Sequence, residues 1–276
     1  MVEKTQNPEA SSGQKPEKQE TAGSFLRFIL LVALGALAFR SFAFSLFNIP
    51  SESMLPRLMN GDYLIASKWP YGFTSNSLPF DLPLIPGRWF ASQPERGDIV
   101  IFKHPVDGTD YVKRAIGLPG DTVELRNGRV ILNGKRLPRE KLDDFLIPVS
   151  ANTRCSWGAK SEHQPDGRIM CRYTRYQERL PSGRTYETLD FGRLPQDDFP
   201  EITVPAGNMF LMGDNRDNSQ DSRFMPTAGG GVGLVPQGLL VGRAETIVFS
   251  TDGGAELLRP GSWFSATRWQ RMGDGL

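Results

Sequence analysis

TDYVKRAIGLPGDTVELRNGRVIL, residues Thr109–Leu132, is the stretch of this chain that most clearly predicts its fold. Its first part alternates like a half-buried strand, so Tyr111, Lys113 and Ala115 share one face. Its second part holds two apolar runs separated by Asn127-Gly128, which is a strong signal for a type I′ hairpin turn. The stretch therefore predicts a strand followed by a two-stranded hairpin.

Short runs of the same kind predict further strands elsewhere. They are Tyr63–Ala66, Asp98–Phe102, Met209–Met212 and Val241–Phe249. The 29 Gly and 21 Pro residues are spread among these runs, which is typical of proteins with many turns and short strands. Long amphipathic helices are not evident. The sequence therefore predicts a mainly β fold.

The domain organisation follows from changes in composition. Residues 138–205 are more polar than their surroundings and hold both cysteines, which predicts an inserted smaller β subdomain. This insertion would divide the main domain into residues 48–137 and 206–250. The Gly-rich residues 251–276 would then form a C-terminal tail.

The N-terminal part of the chain predicts a membrane anchor. Residues 1–23 are polar and cannot bury enough surface to fold, so we expect a disordered tail. Residues 24–47 contain the apolar stretch Phe28–Phe47, interrupted by Arg40 and two serines, which is about the 20 residues that a membrane-spanning helix needs. A cleavable signal peptide ending at Ala36-Leu37-Ala38 and a buried core helix remain alternatives.

Composition argues against two kinds of ligand. The 32 Lys and Arg residues balance 31 Asp and Glu residues and are scattered, so we expect no nucleic-acid partner. A zinc site is disfavoured because His163 does not complete a ligand set with Cys155 and Cys171.

In an oxidising compartment the two cysteines would form a disulfide contributing about 3 kcal/mol in the chain-entropy model. Two free, buried cysteines are the alternative.

The segment Leu78–Phe90 predicts a loop, because its three prolines exclude both a helix and a paired strand. The loop is rich in large apolar residues. Such a loop would either dip into lipid or pack over the core, and the sequence does not decide between these positions.

Ser53 is the candidate nucleophile, because it follows the apolar stretch and a serine hydroxyl can attack carbonyls once a base removes its proton. The two histidines, His104 and His163, stand in turn-like and polar contexts and are predicted to be ordinary surface residues. Lys113 is the candidate base, because a lysine placed in an apolar strand has a lowered pKa. The alternative is that Lys113 points into water from an edge strand.

The segment Gly213–Arg223 is rich in aspartate and arginine. It does not fit a calcium loop, since position 6 is Ser219 rather than Gly and position 12 is Met225. It would either be a solvated turn or pair its own charges to form a rigid support that carries Ser219 toward the base.

Four segments together resemble the successive conserved boxes of the bacterial type I signal peptidase (leader peptidase) family. These segments are Pro50–Met54, Arg96–Phe102, Asp110–Asp121 and Gly213–Arg223. Four motifs in the right order are far more specific than any one of them. The resemblance implies coiled antiparallel sheets and a Ser/Lys endopeptidase that removes signal peptides from exported preproteins, with no cofactor and no metal.

The resemblance also implies a role for individual residues. Ser53 matches the nucleophile and Lys113 the general base, while Ser51 matches the hydroxyl that completes the oxyanion hole. Ser219 matches a residue that hydrogen-bonds the lysine. Supporting ion pairs are expected between Asp214 and Arg114 and between Asp221 and Arg223. The residues expected to line shallow pockets for small substrate side chains, in an Ala-x-Ala pattern, are Ile49, Pro50, Met54, Leu58, Tyr111 and Val112.

The implied location is the bacterial inner membrane, crossed once, with the tail in the cytoplasm and the catalytic domain on the periplasmic side, in contact with phospholipid. The family resemblance also favours the Cys155–Cys171 disulfide. Glu52 departs from the family pattern, because Gly is common between the two serines. The alternatives are a specialised paralogue that processes pilus or conjugation proteins and an inactive membrane-anchored scaffold. An acyltransferase of the SxxK type is excluded, since Pro56 stands where the lysine would be.

Overall fold

The computed structural model of the chain describes residues 22–77, 85–156, 158–256 and 258–276. Strands dominate these residues, which confirms the predicted mainly β fold. The α-helices among the described residues are α1 Ala22–Phe42 and α2 Pro260–Ala266. The strands are β1 Phe44–Asn48, β2 Asp62–Ser67, β3 Ile99–Lys103, β4 Asp110–Gly117, β5 Thr122–Arg126, β6 Arg129–Leu132, β7 Lys135–Arg136, β8 Arg139–Lys141, β9 Phe145–Pro148, β10 Lys160–His163, β11 Ile169–Tyr173, β12 Arg175–Arg179, β13 Thr185–Leu189, β14 Phe199–Thr203, β15 Asn208–Met212, β16 Val235–Pro236 and β17 Leu240–Ser250.

The largest sheet has seven strands in the order β1-β2-β17-β3-β4-β15-β16, and all neighbours are antiparallel. The long strand β17 changes register at several points against its two neighbours, which bends the sheet. Lys113 lies on β4, opposite Val100 of β3, and β15 flanks the other side. Lys113 is therefore on an interior strand, and the alternative of an edge strand facing water is wrong.

The smaller sheets follow the local turn signals. Asn127 and Gly128 both have positive φ, at 51° and 71°, so the predicted type I′ hairpin between β5 and β6 is confirmed. Within residues 138–205, three strands form the sheet β10-β11-β9 and three form the sheet β13-β12-β8. The last strand of this region, β14, instead pairs with β5 of the hairpin. Through β14, the 138–205 region is therefore joined to the sheet of the segment that precedes it.

The apolar stretch Phe28–Phe47 does not form one helix, which differs from the predicted 24–47 anchor. The helix α1 ends at Phe42, and β1 pairs along its whole length with β2. Strand pairing prevails because Phe47 packs against a buried cluster while the ladder satisfies the backbone polar groups. Within the described part of the chain, no helix reaches the length and hydropathy of a membrane span. Most of the predicted disordered tail, residues 1–21, lies outside the described residues.

The two cysteines form a disulfide, as the resemblance implied. Cys171 is buried with Ile147 and Tyr173 in one of the hydrophobic clusters. Residues 251–276 were predicted to be a tail, but they pack on β17. The backbone N–H of Leu276 donates to the carbonyl of Glu245, and that of Gly273 donates to Ile247, both at 2.8 Å.

The predicted loop Leu78–Phe90 is described only from Ile85 onward. Ile85 is buried and Trp89 pairs with Phe73, whereas the Phe90 side chain is 84% exposed. The described end of the loop therefore has one side packed and one side open to solvent.

Candidate active site

The loop that carries Ser53 is anchored by the apolar residues that follow it. Met54 and Leu58 are fully buried and pack with Ile49, so the turn after Ser53 is fixed to the core. The backbone carbonyl of Ser53 accepts a hydrogen bond from the N–H of Asn215 at 3.1 Å. These contacts fix the backbone of Ser53, and the residue lines a cavity.

Lys113 reaches Ser53 from β4. Its Nζ lies 2.7 Å from Ser53 Oγ, and its side chain is buried. Burial lowers the pKa of Lys113 to about 8, although the Asp221 and Asp214 carboxylates act in the opposite direction. A neutral amine is therefore accessible near neutral pH, as a general base requires.

Both predicted ion pairs of the 213–223 loop are present. Arg114 donates two hydrogen bonds to Asp214, at 2.7 and 2.6 Å, and both side chains are buried. Arg223 donates two to Asp221, each at 2.8 Å. Asp221 also accepts the backbone N–H of Gly213 at 3.0 Å. These bonds tie the loop to β4 and to itself.

The other charges of this loop do not pair internally as expected. Arg216 donates two hydrogen bonds to Glu178 of β12, at 3.0 and 2.6 Å. Asp217 accepts the N–H of Phe191 at 2.5 Å, and burial raises the pKa of Asp217 to about 6. These contacts attach the 213–223 loop to the 138–205 region. The partners are distant in sequence, so the local sequence pattern could not predict them.

Ser219 differs from its expected geometry. Its Oγ is buried and makes no hydrogen bond within the described residues, so the expected bond to Lys113 is not formed. The close neighbour of Ser219 is Gly213: a Cβ placed at Gly213 would lie 2.3 Å from Ser219 Oγ and 2.5 Å from the Ser53 carbonyl oxygen. Gly213, which sequence reasoning did not single out, permits the close approach of these segments.

A cavity of about 370 Å³ joins the candidate residues. Its wall includes Ser51, Ser53 and Lys113, and Ser51 Oγ lies 3.3 Å from Ser53 Oγ. Of the residues expected to contact substrate, four line the cavity: Ile49, Pro50, Tyr111 and Val112. Met54 and Leu58 do not, because the turn directs them into the core behind the wall.

His104 was predicted to be a surface residue, and this prediction is wrong. It is buried against the Tyr111 ring, with Nε2 3.2 Å from the Gly231 carbonyl oxygen. Its Nδ1 accepts the N–H of Val106 at 3.2 Å. His163 is exposed, as predicted. Among the residues described, no three His, Cys, Asp or Glu side chains come together as a metal site.

Comparison with known proteins gives the family. Residues 22–249 match the family described as signal peptidase, peptidase S26. The chain belongs to this signal peptidase family. A signal peptidase I of Rickettsia typhi is 33% identical over 255 residues, which cover 89% of this chain and 85% of that protein. One of Rickettsia prowazekii is 34% identical with the same coverage.

Membership of the signal peptidase family makes the chain a serine peptidase, and so a hydrolase. A solved signal peptidase I from Enterococcus faecalis V583 aligns at 26% identity with a TM-score of 0.29. The alignment covers 55% of this chain and 97% of that one.

Glu52 of this signal peptidase makes polar contacts that the sequence did not predict. The backbone carbonyl of Glu52 accepts Asn215 Nδ2 at 3.0 Å. Its side-chain Oε2 accepts Asn218 Nδ2 at 3.3 Å and the hydroxyl of Ser156. The available signal was the charged residue itself, standing between two serines.

Proposed function

We propose that this signal peptidase is a membrane-bound endopeptidase that removes N-terminal signal peptides from exported preproteins, cutting after small residues in an Ala-x-Ala pattern. The observation that carries the proposal is the 2.7 Å between Lys113 Nζ and Ser53 Oγ at a cavity wall. The names of the Rickettsia relatives, signal peptidase I, support the substrate class.

In the proposed mechanism, the neutral amine of Lys113 accepts the proton of Ser53 as Oγ attacks the scissile carbonyl carbon. The carbonyl oxygen becomes an oxyanion, which the Ser51 hydroxyl and the Ser53 N–H stabilise. Collapse breaks the C–N bond, and the Lys113 ammonium returns the proton to the leaving amine. Water then attacks the acyl-enzyme carbonyl carbon while Lys113 accepts a proton from the water. The bond between that carbon and Ser53 Oγ breaks, Lys113 returns the proton to Oγ, and the signal peptide leaves with a free carboxyl group.

The arrangement around Lys113 supports the assignment of supporting residues. The Arg114–Asp214 and Arg223–Asp221 pairs hold β4 and the 213–223 loop in one position. Ser219 packs beside the Ser53 segment through Gly213. Its proposed role is to help hold the Ser53 segment in place through Gly213.

We attribute the proposed preference for small residues to the cavity wall. Ile49, Pro50, Tyr111 and Val112 give it an apolar lining close to Ser53. In the proposed recognition, a large side chain would clash with these residues and be rejected. Met54 and Leu58 support this wall from behind.

The proposed anchor rests on the surface of α1. Phe25, Leu26 and Phe28 are each at least 60% exposed. Neighbouring apolar side chains of the helix are also exposed, but to a lesser degree. A helix with this many exposed apolar side chains is unfavourable in water and favours contact with lipid. We place the tail in the cytoplasm, the catalytic residues on the outer face of the bacterial inner membrane, and phospholipid in contact with the protein.

Processing of a preprotein in detergent micelles tests the proposal. Ser53→Ala and Lys113→Ala should each lower the rate by about 10³-fold or more, because the nucleophile and its base act as a unit. The matched controls are Ser161→Ala and Lys160→Ala on the exposed strand β10, which should retain full activity. Normal processing by either Ser53→Ala or Lys113→Ala would refute the dyad. Cleavage of a single preprotein from a varied panel would favour the narrow-client paralogue.

Fractionation of cells tests the anchor. Deleting residues 1–42 removes α1 but keeps β1, which pairs with β2. We expect the full chain in the membrane fraction and less of the shortened chain there. Equal membrane recovery of both proteins would contradict an anchor in α1.

A further inference from the structure

Glu52 places a fixed carboxylate in the wall of the catalytic cavity. It lies between Ser51 and Ser53 and lines the same cavity. Its Oε2 accepts hydrogen bonds from Asn218 and Ser156, so the side chain is held in one orientation. A carboxylate held in this way is preorganised for a partner, because little side-chain freedom remains to be lost.

The groups that hold Glu52 are themselves fixed. The backbone N–H of Ser156 donates to the Tyr173 hydroxyl at 3.0 Å, and Tyr173 is buried. Ser156 also follows Cys155, which is bonded to Cys171. The carboxylate is therefore supported by the disulfide-bonded loop on one side and by the 213–223 loop on the other.

The second oxygen of this carboxylate is available. Within the described residues, Glu52 Oε1 accepts no hydrogen bond and Glu52 forms no ion pair. The other charged side chains in the cavity wall are already engaged: Asp110 pairs with Lys103 at 3.2 Å, and Lys113 contacts Ser53. Glu52 is thus an uncompensated negative charge on the residue that directly precedes Ser53.

We propose that Glu52 is a specificity-determining residue that favours substrates with a lysine or arginine side chain close to the scissile bond. This inference rests on the proposed function, because the substrate must first place its scissile carbonyl at Ser53. A cationic side chain within a few residues of that carbonyl would meet the free oxygen of Glu52. The charge-assisted hydrogen bond would strengthen binding and the interactions at the transition state.

Glu52 acts on the substrate and not on the base. The charges that shift the pKa of Lys113 are Asp221, Asp214 and Arg223, and Glu52 is not among them. Neutralising Glu52 should therefore leave the pH dependence of cleavage unchanged. A role in positioning Ser53 would instead lower kcat for every substrate alike.

A lysine scan with the full chain in detergent tests the inference. The probes are signal-sequence peptides that differ only in a Lys or Gln at one position, from the third residue before the scissile bond to the third after it. We expect the wild type to prefer Lys over Gln about fivefold in kcat/KM at one or more positions, with the preference falling as salt rises. Glu52→Gln should cleave both members of each pair equally, with an unchanged pH profile.

Glu187→Gln is the matched control, because it makes the same charge change in the wall of a different cavity. It should keep the wild-type preference for Lys. Equal cleavage of Lys and Gln peptides by the wild type would overturn the inference while leaving the proposed function intact. So would a Glu52→Gln variant that keeps the preference, or one that loses kcat equally on all peptides. If the wild type cleaves no peptide, the proposed function fails and the inference fails with it.

Discussion

Arg114 and Asp214 form a buried ion pair with two hydrogen bonds, and each is the chain neighbour of a residue that shapes the active site. Arg114 follows Lys113 on β4, and Asp214 follows Gly213, which packs against Ser219 and the Ser53 carbonyl. The guanidinium also donates to the Gly97 carbonyl at 2.7 Å and lies over the Tyr186 ring. This ion pair therefore links the position of Lys113 to that of the segment that contains Ser53.

Breaking the Arg114–Asp214 pair should be strongly destabilising. Arg114→Met leaves the Asp214 carboxylate buried without a partner, and we expect a loss of about 3–5 kcal/mol in the free energy of unfolding, measured with urea. Arg168→Met removes the partner of Asp166 in an exposed pair and should cost less than about 1 kcal/mol. Equal losses in the two variants would show that burial of the first pair is unimportant.

The rate of cleavage should follow the deprotonation of Lys113. Its pKa of about 8 predicts that kcat/KM rises with pH and reaches half of its plateau near pH 8. Activity increases with pH because the neutral amine is the active form. A profile that is flat from pH 6 to pH 10, with chemistry shown to be rate-limiting, would argue against a lysine base.

Lys113 should also carry a stability cost. Its pKa is lower in the folded chain than the value of about 10.4 in the unfolded chain, so the cost is complete below pH 8 and disappears as pH rises toward 10.4. Lys113→Met should therefore be more stable than the wild type at pH 7, by on the order of 1–3 kcal/mol. The difference should shrink between pH 8 and pH 10. A Lys113→Met variant that is less stable at pH 7 would contradict a desolvated lysine.

Gly213→Ala should impair catalysis. The added Cβ would lie 2.3 Å from Ser219 Oγ and 2.5 Å from the Ser53 carbonyl oxygen, so the serine segment must shift. A displacement of about 1 Å at the reacting group can reduce kcat about 10²-fold. Gly238→Ala is the control, because no atom lies within 4 Å of its added Cβ. Wild-type kcat in Gly213→Ala would show that this contact does not position Ser53.

Asp217→Asn should stabilise the protein at neutral pH. Burial raises the pKa of Asp217 to about 6, above its unfolded value, so the stability contributed by the protonated form is lost as pH rises through 6. Asparagine keeps an oxygen for the Phe191 N–H and removes the charge. The unfolding midpoint of the variant should exceed that of the wild type at pH 7 and approach it at pH 4. A lower midpoint at pH 7 would show that the charge is needed.

The parts of the fold that depend on neighbouring residues could be predicted from the sequence. The Asn127-Gly128 hairpin requires two adjacent residues with positive φ, and these residues adopt that conformation. The alternation that placed Lys113 within a strand is equally local. Pairing within the 213–223 loop was one alternative from the residues alone, and the resemblance to a known family assigned the two ion pairs to named residues.

The errors lie where distant segments decide the outcome. Nothing near His104 shows that Gly231, far along the chain, accepts its Nε2–H, or that Tyr111 covers its ring. The apolar run Phe44–Asn48 suits a helix or a strand, and pairing with β2 selects the strand. Arg216 finds Glu178 on β12 for the same reason. Composition and periodicity carry no information about such contacts.

The position of β4 in the large sheet has a consequence for synthesis on the ribosome. Ser53 and Lys113 are both translated in the first half of the chain, but β15 and the 213–223 loop, which enclose the lysine, emerge much later. Without them the Lys113 amine would stay hydrated, and the burial that lowers its pKa would be missing. A chain without these later segments would therefore lack the uncharged amine on which the proposed cleavage depends.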